Sequence, residues 1–325
     1  MREKLLSFLF LIACAAAAGA DNQTSAFGFL ELPRSAHEAA LGGRTVSLLL
    51  DDPTLVYSNP AAITATSSRM LGLNVMTWLA GTTAAGAQYC DVAGKRSAFA
   101  ASARYISYGV SDQTDIYGNT TGTFGSRDIA LSGTYGYQLG DNWNGGVTMR
   151  MIYSNYSSYS SFAMAADLGL VYTSSSGLLS AGLTFTNLGG QLKPFQDIRE
   201  KLPFNITAGV SIRLSHAPVR LTLTMDRLNK WSQSDFYSAG GELTAGDIFL
   251  RHLSFGADIL ITDNIYVALG YNARYHAELS TGSRKGLTGM SVGGGIRLSK
   301  MQFGLSFGKF QVSTSSLLFN FAINI

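Results

Sequence analysis

The sequence predicts an all-β fold: a transmembrane antiparallel β-barrel of about 14 strands, with an N-terminal hatch of short helical turns inside the lumen. Three observations carry this. Charged residues make up 14% of the 325 residues, against roughly 25% in soluble domains. No apolar run of about 20 residues follows the N-terminal segment, which excludes a transmembrane helix and leaves a closed barrel as the structure able to satisfy its backbone in lipid. Along most of the chain, apolar and polar residues alternate with period two.

Residues 1–20 have the order of a secretory signal peptide: Arg2 and Lys4, an apolar run from Leu5, then Ala18-Gly19-Ala20. Leu11-Ile12-Ala13-Cys14 also resembles a lipoprotein cleavage box, and either reading exports the chain. Beyond it Cys90 is the only cysteine. The fold therefore has no internal disulfide, and one thiol among small residues points to packing.

Residues 21–67 do not alternate, and they form the expected hatch. Ser35 and Glu38 have capping-box spacing, in which hydroxyl and carboxylate each satisfy a free backbone donor. Gly42-Gly43 supplies the helix stop. Asn59-Pro60-Ala61 repeats the grammar, with Asn59 as N-cap and Pro60 where a missing N–H costs nothing. The competing reading is a disordered periplasmic tail.

Residues 68–325 form the barrel. Candidate strands are 68–79, 82–92, 96–106, 126–139, 143–154, 161–173, 177–187, 203–214, 218–226, 251–261, 265–276, 287–298, 301–309 and 316–325. Val147, Met149, Met151 and Tyr153 oppose Thr148, Arg150 and Ser154; Leu221 and Leu223 oppose Thr222 and Thr224; Leu317, Phe319 and Phe321 oppose Asn320. The polar face carries Thr, Ser and Gly rather than the Lys and Glu of a soluble sandwich, which suits a wet or plugged lumen. Links after every second strand are tight, whereas 107–126, 187–202 and 227–250 are long, the asymmetry of an outer-membrane barrel. The tyrosine-rich stretch 153–162 reads as a loop suited to an aromatic belt or a docking surface.

By strand parity Arg104, Arg150, Asp167, Arg213, Arg220, Asp226, Asp258, Arg274 and Arg297 point into the lumen. On the lipid face an Arg would cost about 2–4 kcal/mol near the midplane. Inside, these charges pin Asp51, Asp52 and the capped turns, or else line a polar path for a solute. Gly293-Gly294-Gly295 could kink a strand into a lateral opening.

The stretch Leu32-Pro33 through Asp51-Asp52 and on to Asn59-Pro60-Ala61 resembles the N-terminal segment of the PorQ family of type IX secretion. The Asn-Pro-Ala element is shared with FadL-like barrels, including PorV. "LPFNITAGVS", "SHAPVRLTLT", "RHLSFGADILI" and "RKGLTGMSVGGGIRL" extend the resemblance over nearly the whole mature chain. It implies a non-enzymatic barrel platform for an attachment complex with PorU, PorV and PorZ, anchoring secreted cargo on the surface of Bacteroidetes-type bacteria. The FadL-like side implies the alternative, an outer-membrane transporter for hydrophobic solutes. Two departures stand out: His37 replaces the family's usual Arg, which leaves that residue's ion pair open, and the chain ends in Ile325 rather than an aromatic residue.

No catalytic, metal or cofactor constellation is expected. His252 and His276 near the outer rim, with Asp235 or Asp247, are the nearest to one, and they read as solvated rim histidines. The net charge of +3 carries no nucleic-acid footprint.

Overall fold

Period-two alternation and tight turns give what they should. In the computed structural model, 14 strands close into one antiparallel barrel in which each strand pairs with its sequence neighbour. The structure describes residues 26–325 except 79–80, 116, 197–198, 239–241, 280–286 and 310–314. The predicted signal peptide, with Cys14, lies outside the described residues.

The strands are β1 Met70–Thr77, β2 Thr83–Ala93, β3 Ser97–Thr114, β4 Thr120–Gln138, β5 Trp143–Tyr156, β6 Tyr159–Thr173 and β7 Leu179–Lys193. They continue as β8 Asn205–Arg213, β9 Val219–Met225, β10 Leu253–Thr262, β11 Ile265–Asn272, β12 Met290–Arg297, β13 Met301–Gly308 and β14 Ser316–Asn324. Closure comes from β1 against β14, in register from Met70↔Asn324 to Thr77↔Leu317, so no strand edge remains to be satisfied. The alternation places Leu131, Met149, Leu221, Phe255, Leu305 and Phe319 outward on the lipid face, each about half exposed.

The wall is uneven. Strands β3 to β7 run 14 to 19 residues, whereas a tilted strand needs only about 9–11 to cross the bilayer. Strands β8 to β14 run 7 to 10. The stretch expected as the loop 107–126 is therefore mostly strand: β3 and β4 pair from Ser97↔Tyr137 out to Thr114↔Thr120, interrupted by a bulge at Tyr108-Gly109. Gly109 takes φ +81° there, a conformation that suits a residue without Cβ. Polar, Gly-rich composition had suggested a loop, but pairing between two adjacent chains overrides weak propensity. The stretch 153–162 is likewise a tight hairpin, with Tyr156 paired to Tyr159 and Ser157 at φ +54°. On the low side, α2 (Ala245–Arg251) and α3 (Ala273–Leu279) fold over the long-loop mouth, after α1 (Ala36–Ala40) in the N-terminal segment.

Candidate functional site

The lumen is filled by residues 26–67. This segment holds a 3-10 turn at Gly28–Glu31, α1, and 3-10 turns at Pro53–Tyr57 and Pro60–Ala65. Each of the last two starts on an acceptor followed by proline. Asp52 accepts the Thr54 N–H at 2.8 Å, and Asn59 Oδ1 accepts the Ala61 N–H at 3.0 Å. Asn59 Nδ2 also donates to Val46 O at 2.7 Å and to Leu170 O of the wall at 3.3 Å. Asp51 accepts from the Ser67 N–H and hydroxyl at 2.7 and 2.8 Å. Gly42 and Gly43, at φ +97° and +127°, end α1 as expected of residues that tolerate positive φ.

The capping box forms only in half. Ser35 Oγ accepts the Glu38 N–H at 3.5 Å. Glu38 does not reach back; its Oε2 takes the Ser58 hydroxyl at 2.6 Å, tying α1 to the next turn. Glu38 is fully buried, and burial pushes its carboxyl well above the usual range while the Ser58 hydrogen bond pulls the other way.

An irregular segment leaves carbonyls unpaired, and the wall supplies their donors. Arg104 donates to Leu32 O at 3.1 Å and Pro33 O at 3.4 Å. Asn320 reaches Arg34 O at 3.1 Å, Ser291 reaches Ala40 O at 2.9 Å, and Asn272 reaches Gly42 O at 2.9 Å. Arg297 and Gln302 share Asp51 O at 3.0 and 2.8 Å, and Gln88 takes Pro53 O at 2.8 Å. Where the plug comes closest, the wall has glycine. A methyl group at Gly182 would overlap Val46 O, and one at Gly146 would overlap the Pro60 carbonyl. The run Gly293-Gly294-Gly295 makes no kink: it pairs in unbroken register with β11 and β13, and Gly293 faces Ala40.

The remaining parity charges separate by their partners. Arg150 and Asp167 form a buried ion pair at 2.6 Å; Arg150 also donates to Asn187 Oδ1 at 2.8 Å, and Asp167 accepts the Asn187 N–H at 2.7 Å. Asn187, at φ +59°, sits in a bulge of β7 opposite Asp167, so the pair braces a break in the ladder. Asp258, fully buried, takes His37 Nε2 at 2.8 Å and Arg220 at 3.4 Å, and His37 stacks on Tyr266 at 4.0 Å between centroids. Asp226 lies just past β9 and accepts from Asn205 and Thr207 at 2.8 and 2.7 Å. Arg213 is half exposed at the short-turn rim, 4.0 Å from exposed Asp263. Arg274 leaves the parity argument altogether: it stands on α3, where it pairs with Glu278 at 3.9 Å.

One more lumen charge follows from the parity of β4. Asp128, fully buried, accepts from Tyr108 at 2.5 Å and lies 3.0 Å from the Tyr156 hydroxyl, whose single proton it shares with Ala26 O at 3.2 Å. Tyr156 is thus turned inward and does not belong to a lipid-facing belt.

The lumen face is not polar throughout. Leu318, Met76, Ala84 and Ile106 are direct cross-strand partners, and so are Ala130, Ile152 and Ala163. All seven are buried and packed in one cluster with Phe27, Phe29 and Leu30. They form an apolar patch on one side of the lumen toward the long-loop end, from β14 to β6, with Asp128 paired to Ile106 between its two halves. Its signal in the sequence is a break in alternation, where Met76, Ile106, Ile152 and Leu318 each stand next to outward apolar neighbours. Toward the short-turn end, a cavity of about 220 Å³ is bordered by Leu50, Tyr266, Phe303, Arg213, Arg220 and Arg297.

The rim histidines are not a site. His252 is buried between Trp231 and Phe236 and meets Asp226 O at 2.7 Å. His276 bonds Thr288 O at 3.0 Å. Asp247 caps α2 through Thr244, and Asp235 closes its own short turn. Cys90 is buried and meets Gln88 Nε2 at 3.2 Å. Among the described residues no group of three metal-ligating side chains converges.

No protein-family model matches this chain, and no curated protein matches it in sequence. Solved structures do match. The toluene transporter TbuX of Ralstonia pickettii superposes with a TM-score of 0.57 at 14% identity, over 90% of this chain and 97% of TbuX. This chain shares its fold. The Pseudomonas putida toluene transporter TodX gives 0.55 at 15% identity, over 90% of this chain and 97% of TodX. A Pseudomonas aeruginosa FadL homologue gives 0.50 at 12%, over 90% and 98%. The chain is an integral outer-membrane barrel of this architecture.

Proposed function

We propose that this FadL-type barrel is an outer-membrane channel for small hydrophobic solutes. The observation that carries the reading is the apolar patch. A water-filled porin keeps its interior polar, yet here Met76, Ile106, Ile152 and Leu318 turn into the lumen and meet Phe27, Phe29 and Leu30 of the plug. An apolar molecule gains about 25 cal/mol per Å² by leaving water for such a surface. The contact is non-directional, so a solute can replace it when the plug's first turn shifts. Among similar folds, TbuX and TodX are toluene transporters, which favours monoaromatic hydrocarbons as the first solutes to try. The test is toluene uptake by cells that lack other hydrocarbon channels. Wild-type protein raises uptake and Ile152→Lys abolishes the rise while the barrel still assembles; no rise with wild type overturns the reading.

The PorQ resemblance implies a second reading, an attachment platform with PorU, PorV and PorZ. The structural neighbours lend it no support. Its own observation is the β3–β4 ribbon, whose strands reach Thr114 and Thr120, long enough to rise above the membrane and hold a soluble partner. Mild-detergent purification separates the two: a copurifying surface protein favours the platform, and a barrel alone with bound apolar molecules favours the channel.

A further inference from the structure

Arginine clusters in the middle of the plug. Arg34 precedes α1 and Arg44 follows it, while Arg104 and Arg150 reach in from β3 and β5. A small cavity of about 20 Å³ lies among Arg34, Arg44, Arg150, Tyr57 and Ser58, with Glu31 and Asp167 also on its wall. That is room for one water-sized species.

The charges around it do not balance. Asp167 is taken by Arg150 and the Asn187 N–H, and Glu31 by Arg227 at 2.7 Å. Among the described residues Arg44 hydrogen-bonds only the neutral Thr186 hydroxyl, at 3.0 Å. Arg34 is 5% exposed, its Nη1 has no hydrogen-bond partner among the described residues, and its guanidinium lies over the Tyr57 ring at 4.4 Å. Glu38 accepts the Ser58 hydroxyl at Oε2, and its Oε1 has no hydrogen-bond partner among the described residues. No carboxylate lies within 4.0 Å of Arg34 or Arg44 among the described residues. A buried acid can neutralise itself by taking a proton, but a guanidinium cannot shed one at physiological pH. Leaving such a charge uncompensated costs several kcal/mol. A mobile counter-ion removes that cost.

We propose that this cavity holds a single-atom monovalent anion, chloride in practice, between Arg34, Arg44 and Arg150. The ion neutralises the centre of the plug and joins its two halves to the β5 wall. Plug seating then depends on halide independently of what the channel transports. The test uses the refolded full-length barrel at constant ionic strength, because screening alone then stays fixed. Replacing gluconate by chloride, at a concentration ten times its Kd, shifts the plug-release equilibrium about tenfold toward the seated state, read from protease cleavage within residues 26–67. Arg34→Gln removes the shift. Crystals soaked in bromide show an anomalous peak at the cavity. Equal cleavage in chloride and gluconate, or a refined water with no bromide peak, overturns the proposal. Should Arg34→Gln fail to fold, the wild-type titration and the bromide map still decide it.

Discussion

The two ends of the lumen hold the plug by different physics. Toward the short turns, backbone meets backbone. Val46 and Pro60 sit on glycines of the wall, Arg297 and Gln302 share the Asp51 carbonyl, and Gln88 holds that of Pro53. Toward the long loops, Phe27, Phe29 and Leu30 meet Ile106, Ile152 and Leu318 through apolar contact. Hydrogen bonds and close approach fix one geometry, whereas apolar contact is satisfied by any apolar occupant. The difference teaches that the lower end is built as a seat and the upper end as a surface that another apolar molecule can take over.

The comparison can be broken most severely at the seat. Gly182→Leu should unseat the plug, because its Cβ meets the Val46 carbonyl rather than a flexible side chain. Residues 26–67 then become protease-sensitive while the barrel stays folded. Gly133→Leu, where a Cβ meets nothing within 4 Å, should leave cleavage unchanged. Equal sensitivity in the two variants would sink the idea of a glycine seat.

Next in size is Asp167→Ala, which strands buried Arg150 and should cost about 3–5 kcal/mol in urea unfolding of the refolded barrel. A loss below about 1 kcal/mol would show that the bulge at Asn187 needs no brace. In the apolar patch, Ile152→Ala should cost about 2–4 kcal/mol and Ile106→Val about 1 kcal/mol, with hydrocarbon uptake retained in both, since the surface stays apolar. Uptake falling with stability would merge the two ends into one.

The smallest effect is pH-dependent. Burial raises the Glu38 carboxyl above its unfolded value of about 4.3. Its contribution is therefore fully favourable below pH 4 and is lost as pH rises through the folded value. Glu38→Gln keeps an acceptor for the Ser58 hydroxyl and should remove that loss, so its stability advantage over wild type grows with pH. An advantage that is flat across pH 4 to 8 would refute the buried-acid reading.

Much of this architecture was legible in the residues. Alternation through stretches such as Val147–Ser154 set which side chains face lipid, because successive Cβ atoms must point to opposite faces. Tight links after every second strand set the strand count and put both barrel ends at the short-turn side. Proline after Asn59 marked a capped turn by local chemistry, and the same signal at Asp52-Pro53 was available. Parity placed Arg104, Arg150, Asp167 and Asp258 inward, but their partners lie 17 to 221 residues away in sequence, and no local rule finds those. Arg274 was misplaced because β11 ends at Asn272 and a helix begins, so parity stops applying. The height of β3 and β4 followed from their mutual pairing and not from composition. The apolar patch needed the register, which sets Ile152 between Ala130 and Ala163 and joins local breaks in pattern from neighbouring strands. Sequence alone thus determined the barrel, its faces and its capped turns, all of which rest on short-range periodicity and backbone chemistry. Which glycines meet the plug, which carboxylate holds His37 and which arginines remain unpaired were decided only when the sheet closed, because closure alone brings residues from opposite ends of the chain into one lumen.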